Sequence, residues 1–156
     1  MPLVLLEDLP AQGPLLGLDP GAKAIGVAAS DPRRLIASPL ETIIRGKKLA
    51  PVLDRLFELI EKRSCVGVIL GLPVNMDGKE GPRAQSARSL ARSILERRDL
   101  PLALWDERLS TAGVERTLIE ADVSRRRRNE VIDKLAAAWI LQGALNRLAD
   151  MCRSQE

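Results

Sequence analysis

The sequence predicts an α/β domain with a mixed five-stranded sheet and helices on both faces. Three observations carry that reading. Residues 15–31 hold two short apolar runs around a Pro-Gly turn, which suits a hairpin of buried strands better than a helix. A third apolar run at 35–44 follows directly, so the first three strands form an antiparallel meander. Beyond it, helical periodicity alternates with short continuous apolar runs at 66–70 and 100–105, and strands that follow helices join a sheet in parallel through right-handed crossovers.

The elements follow in order. Residues 1–13 read as an N-terminal leader of low consequence, residues 14–150 as one domain and residues 151–156 as a C-terminal tail. Strand one covers 15–19, with Asp19 where the run meets the turn. Gly21 supplies the turn, and Gly26 in strand two (25–30) lets another backbone come close. Pro39 marks strand three as an edge strand or a bulge. Residues 47–63 place Leu49, Val52, Leu53, Leu56, Phe57 and Ile60 at helical spacing. The run 66–70 is a buried parallel strand. Residues 71–81 are dense in turn formers, and Pro82 opens a helix to about residue 97. Strand five ends at Asp106-Glu107-Arg108, and Ser110 or Thr111 caps a helix to about residue 121. Residues 123–129 form a basic loop before a last helix at 130–149, which Ala136, Ala137 and Ala138 keep slim beside Asp133.

Composition bounds the chemistry. With 156 residues, 46% hydrophobic and 29% charged, the chain suits one soluble core. No apolar run nears the roughly 20 residues of a membrane span, and the start lacks a basic leader, so the expected compartment is the cytoplasm, with no membrane partner. The absence of histidine excludes imidazole bases, Ser-His triads and imidazole zinc sites. Cys65 and Cys152 are expected as free thiols. Net charge is only +3, but Arg125, Arg126, Arg127 and Arg128 form a dense run, and Arg83, Arg88, Arg92, Arg97 and Arg98 recur along one segment. Such clusters suit phosphate contacts or a solvated surface. Aromatic residues are 2% of the chain, too few for a base-stacking platform.

Three acidic positions stand at strand ends or on a slim helix: Asp19, Glu107 with Asp106 beside it, and Asp133. If strands one and five are near neighbours and the last helix packs over their ends, these carboxylates converge. Converging carboxylates repel unless one is protonated or a divalent cation neutralises them. Hard cations such as Mg²⁺ and Mn²⁺ prefer oxygen ligands and activate water for phosphodiester cleavage. The structural alternative is complete as well: Asp106 caps the following helix, Glu107 pairs with Arg108, and Asp133 pairs with Lys134 or Arg108. Adjacent strand residues point to opposite faces, so only one of Asp106 and Glu107 faces the site.

Four blocks resemble the YqgF (RuvX) family of pre-16S rRNA nucleases, with a Holliday-junction-resolvase-like, ribonuclease H-type fold. They are Gly17-Leu18-Asp19-Pro20-Gly21-Ala22-Lys23 with Ile25-Gly26-Val27-Ala28; Gly71-Leu72-Pro73-Val74-Asn75-Met76-Asp77-Gly78; Asp106-Glu107-Arg108-Leu109-Ser110-Thr111; and Asp133-Lys134-Leu135-Ala136-Ala137. The resemblance runs over residues 15–145. It implies that Asp19, Glu107 and Asp133 are the catalytic, metal-facing acids. The family pattern has Arg after the Lys of the first block. Here Ala24 stands there, and Arg33 or Arg34 is the candidate replacement. Lys23 and Arg108 are read as phosphate contacts or salt-bridge partners of the acids. Asn75 is read as a substrate contact or a turn residue, and the run Arg125 to Arg128 as a nucleic-acid contact that positions without reading sequence.

The leading function is a Mg²⁺- or Mn²⁺-dependent nuclease on structured RNA, expected to mature the 5′ end of pre-16S ribosomal RNA, as a monomer or homodimer. The alternatives are branched-DNA resolution and a non-catalytic RNA-binding assembly factor. An actin- or hexokinase-type phosphotransferase shares the Asp-Gly loop but needs a second such domain.

Overall fold

The computed structural model describes residues 3–21, 23–75, 77–109 and 125–154, without the side chains of residues 109, 125–132 and 153–154. Five strands, β1 (Leu15–Pro20), β2 (Ala24–Ser30), β3 (Ala37–Ile44), β4 (Gly67–Leu72) and β5 (Leu102–Asp106), form one sheet in the order β3-β2-β1-β4-β5. The meander β1-β2-β3 is antiparallel, whereas β4 and β5 add in parallel. Among the described residues three helices flank it: α1 (Ala50–Arg63), α2 (Pro82–Arg97) and α3 (Arg125–Ser154).

Each element answers to its residues. The apolar positions of α1 bury Val52, Leu53, Leu56, Leu59 and Ile60, and Ser64 ends the helix in the left-handed region at φ 54°. Pro82 starts α2, which turns Ala84, Ala87, Leu90, Ala91 and Ile94 inward. Both helices cover one face of the sheet, meeting Leu16, Leu18, Ile25, Val27, Leu70 and Leu102. On the other face α3 covers Leu15, Ala28, Ile69, Ala103 and Trp105 with Ala137, Ile140, Leu141 and Ala144. Successive strand residues thus divide between two cores, as the pleat requires. β3 is the edge strand Pro39 announced, and its register with β2 slips between Val27 and Ala28, which face Glu41 and Pro39. The missing proline N–H is tolerated at such a place.

Three expectations change. Arg125 to Asn129 belong to α3 and not to a basic loop; arginine is a good helix former, and a run of four does not break a helix. The expected tail begins inside α3, which runs on to Ser154. The leader is fastened. The Val4 N–H donates to the Leu102 carbonyl at 3.1 Å, Leu9 is buried, and the Arg34 guanidinium donates to the carbonyls of Gly13 (2.7 Å) and Pro10. Cys65 and Cys152 are free thiols, and burial pushes that of Cys65 up to about 11. Among the described residues, no helix is long and apolar enough to cross a membrane. The helix expected near 111–121, with Ser110 or Thr111 as cap, lies outside the described residues.

Candidate active site

The site forms where β1 meets its hairpin turn. Asp19 pairs in register with Gly26 on β2. On the other side the parallel register Leu18 to Leu70 carries one step further to Gly71 on β4. Register partners share a face. The row Gly26–Asp19–Gly71 therefore points to one side of the sheet. That side is the α3 side, because a Cβ two residues earlier on β1, at Gly17, would lie 2.7 Å from Leu141 Cβ.

The two glycines make room for the other two acids. A Cβ at residue 26 would lie 1.8 Å from the Asp133 carbonyl oxygen, so the α3 main chain rests on β2 at that point. A Cβ at residue 71 would lie 2.8 Å from Glu107 Oε1, so the Glu107 carboxylate lies over β4. Asp19 stands on the strand between them and is 4% exposed. The close backbone approach expected at Gly26 is thus made by Asp133. The slim stretch of α3 allows it, since the Ala137 carbonyl oxygen would lie 3.2 Å from a Cβ at Gly17. β4 alone separates β5 from β1, and Glu107 reaches the row across β4 because residue 71 has no side chain.

Asp106 faces elsewhere. Its Oδ1 accepts the Arg108 N–H at 2.9 Å, and its carboxylate takes the Arg108 guanidinium at 2.6–3.1 Å. That pair holds the Asp106 carboxyl below the usual carboxylate range and raises Arg108. So Asp106 caps a short turn, Glu107–Leu109, and Arg108 pairs with Asp106 and not with Glu107. The guanidinium also nears Gly78, where a Cβ would lie 3.7 Å from Nη1.

The remaining predicted contacts divide. Lys23 is exposed in the hairpin turn. Asn75 is bound into the loop after β4, its N–H donating to the Lys79 carbonyl at 3.0 Å and its carbonyl accepting from Gly78 at 2.8 Å. Its side chain lies beside Gly81, where α2 begins. Arg33 and Arg34 do not replace the family arginine absent at Ala24: they follow the other end of β2, and Arg34 is spent on the leader. The cation at the hairpin is Arg45, which the sequence reading missed. Its N–H donates to the Lys23 carbonyl and its Nη1 to the Gly21 carbonyl, each at 2.8 Å. The antiparallel meander was the available signal, since pairing β2 with β3 brings residue 45 opposite residue 23. The side chains of Arg125 to Arg128 lie outside the described residues; their backbone begins α3, about 12 Å along the helix from Asp133.

Carboxylate oxygens are the donor set a hard divalent cation takes. Gly71 leaves room for the Glu107 carboxylate, and Gly26 leaves room for the main chain that carries Asp133. Among the described residues no three His, Cys, Asp or Glu side chains form a ready metal cage. The row spans two strand spacings, roughly 10 Å, so the outer acids must reach inward to share an ion with Asp19.

Comparison with known proteins agrees with this architecture. The family described as "RuvX: Holliday junction resolvase" matches residues 13–147. A Bradyrhizobium sp. protein named "Putative pre-16S rRNA nuclease" is 59% identical over 93% of this chain and 89% of its own length. A protein of the same name from Phenylobacterium zucineum is 55% identical over 97% of this chain and all of its own length. The solved structure of T. thermophilus RuvC in complex with Holliday junction substrate superposes with a TM-score of 0.56 at 12% identity, covering 88% of this chain and 96% of that one. At that identity the likeness is one of fold, the ribonuclease H-like fold of the RuvC-type resolvases.

Proposed function

The chain belongs to the RuvX family, and from that premise we propose that it is a divalent-metal-dependent nuclease that matures the 5′ end of pre-16S ribosomal RNA in the cytoplasm. The observation that carries the reading is the row Gly26–Asp19–Gly71, with the Asp133 main chain over one end and the Glu107 carboxylate over the other.

Asp19, Glu107 and Asp133 are the residues that hold the cation, Mg²⁺ or Mn²⁺. When bound, it supplies activation of water and stabilisation of the leaving oxygen. The chain supplies the rest. Burial of Asp19 fixes one carboxylate at the end of β1, and Glu107 is fixed by the turn that Asp106 and Arg108 hold. In the reaction, water adds at phosphorus, the bridging P–O bond breaks and the leaving ribose oxygen takes up a proton. With no histidine in the chain, carboxylates and Lys23 are the proton-carrying side chains at this end of the sheet. Lys23 and the run Arg125 to Arg128 contact phosphates, and Asn75 and Arg108 border the substrate from the loop side.

Cleavage of a precursor-RNA substrate with Mg²⁺ or Mn²⁺ tests this directly. Asp19→Asn and Glu107→Gln are expected to lose about 10²–10³-fold in rate, the scale for removing one preorganised electrostatic group. Equal cleavage by wild type and Asp19→Asn overturns the three-acid site. RNA binding without cleavage by any of the proteins, wild type included, makes the chain a binding factor. The family description favours a second reading, resolution of branched DNA, which requires a symmetric dimer to cut two strands together. A four-way DNA junction assayed beside the RNA decides between them.

A further inference from the structure

We propose that the end of β3 and the segment leading into α1 form the track along which the RNA backbone enters the site, with Lys23, Arg45, Lys47 and Lys48 as its phosphate contacts. The inference rests on the nuclease reading and adds the direction of substrate approach.

Position comes first. Ile44 pairs with Ala24, and Thr42 with Gly26, so β3 ends at the same end of the sheet as Asp19. The chain leaving β3 therefore starts beside the hairpin, and among the described residues β3 is an edge strand with no further strand outside it. Arg45 is clamped there by its two bonds to the carbonyls of Lys23 and Gly21, which ties its charge to the turn that carries Asp19.

Charge comes second. The stretch 43–52 holds Arg45, Lys47 and Lys48 and no acidic residue. Among the described residues, none of the ion pairs engages Lys23, Arg45, Lys47 or Lys48. Four arginines on and beside α1 and α2 differ: Arg55 pairs with Glu41 and Glu58, Arg88 with Glu80, Arg97 with Asp54 and Arg98 with Glu61. Basic side chains without acid partners are those able to release counterions when a phosphate arrives.

Shape comes third. Behind the two lysines, on the α1 side, lies a groove of about 440 Å³ lined by Ile43, Ile44 and Pro51, with Ile44 67% exposed, so a strand lying in it crosses the end of the sheet to reach Asp19 on the α3 side. An apolar floor rimmed by ammonium groups suits a strand whose sugars rest on the floor while its phosphates meet the rim. It offers no ring for base stacking, so the track carries RNA without reading its sequence.

The test is anisotropy of a fluorescein-labelled stem-loop RNA in EDTA, titrated across potassium chloride concentrations. Lys47 and Lys48 are exposed and form no hydrogen bond among the described residues, so Lys47→Ala/Lys48→Ala is compared with wild type and with Arg97→Ala on α2, whose guanidinium is paired with Asp54. Each lost phosphate contact lowers the slope of log affinity against log salt by about 0.7–0.9, so the double variant is expected to lose about 1.5. An unchanged slope, or an equal loss in Arg97→Ala, overturns the track. A loss seen only with a four-way DNA junction overturns its assignment to RNA. Adding Mg²⁺ to the same samples keeps the two readings apart. An unchanged slope with cleavage abolished only by Asp19→Asn removes the track and leaves the nuclease. A lowered slope with no cleavage by wild type leaves the track and removes the nuclease.

Discussion

The two faces of the sheet are built differently where they meet the end of β1. Toward α1 and α2 the sheet offers Leu16, Leu18, Ile25, Val27 and Leu70, and the helices answer with Leu56, Leu90 and Ile94. Toward α3 it offers Gly17, Gly26 and Gly71 around Asp19, and the helix brings Ala137 and its own main chain. Large side chains hold a helix away from a sheet. Glycine and alanine let it touch. The first face carries much of the stability, at about 1.5–3 kcal/mol for each fully buried large side chain. The second gains less from burial and fixes position to within the width of a methyl group.

Substitutions on each face test this division. The largest effect is expected from Gly26→Ala. Its Cβ would stand 1.8 Å from the Asp133 carbonyl oxygen, and backbone cannot swing aside as a side chain can. Lifting α3 should cost about 1–3 kcal/mol and remove cleavage even well below Tm. Retained cleavage would show that the touch does not matter. Leu56→Ala, on the opposite face, should cost about 2–5 kcal/mol in denaturant unfolding while cleavage below the lowered Tm persists. A rate loss as large as that of Gly26→Ala would dissolve the distinction.

Acid should act chiefly through ion pairs outside the α3 core. Hydrogen bonds from Arg55, Arg88 and Arg108 hold the carboxyls of Glu41, Glu80 and Asp106 below their ordinary values, and the Ile36 N–H does so for Asp31. A group whose pKa is lower in the folded state stabilises above its unfolded value and loses that contribution as pH falls through the folded one. Thermal melts should therefore be insensitive to these groups near neutrality and fall below about pH 4, the unfolded range of Asp and Glu. Arg55→Gln should shrink that fall. The smallest effect belongs to Arg97→Ala, whose exposed pair with Asp54 is worth ~0–1 kcal/mol in the same unfolding measurement.

Much of this was legible in the residues. The short apolar runs and the Pro-Gly turn announce the meander, and Pro39 announces its edge, because these are local signals. The acids were legible as strand-end positions. Their arrangement was not, because the order β2-β1-β4-β5 is set by packing. Only that order shows that Glu107 needs Gly71 beneath it, and that Asp106, bound to Arg108, faces away. Arg45 escaped notice because its meaning depends on cross-strand register, which a linear reading holds only weakly. The arginines of α2 drew attention as a basic cluster, yet the acids that neutralise Arg97 and Arg98 lie on α1, far away in sequence.

The contact between Gly26 and α3 also sets a timetable. The hairpin bearing Asp19 leaves the ribosome long before α3, which carries Asp133. Growth at about 5–20 residues per second leaves several seconds during which the first acid exists without the last. On the proposed site, a chain made without α3 lacks one of the three acids, and α3 closes the sheet and completes the centre in one act. A protein that cuts a ribosomal precursor would thus remain harmless to RNA until α3 has been made.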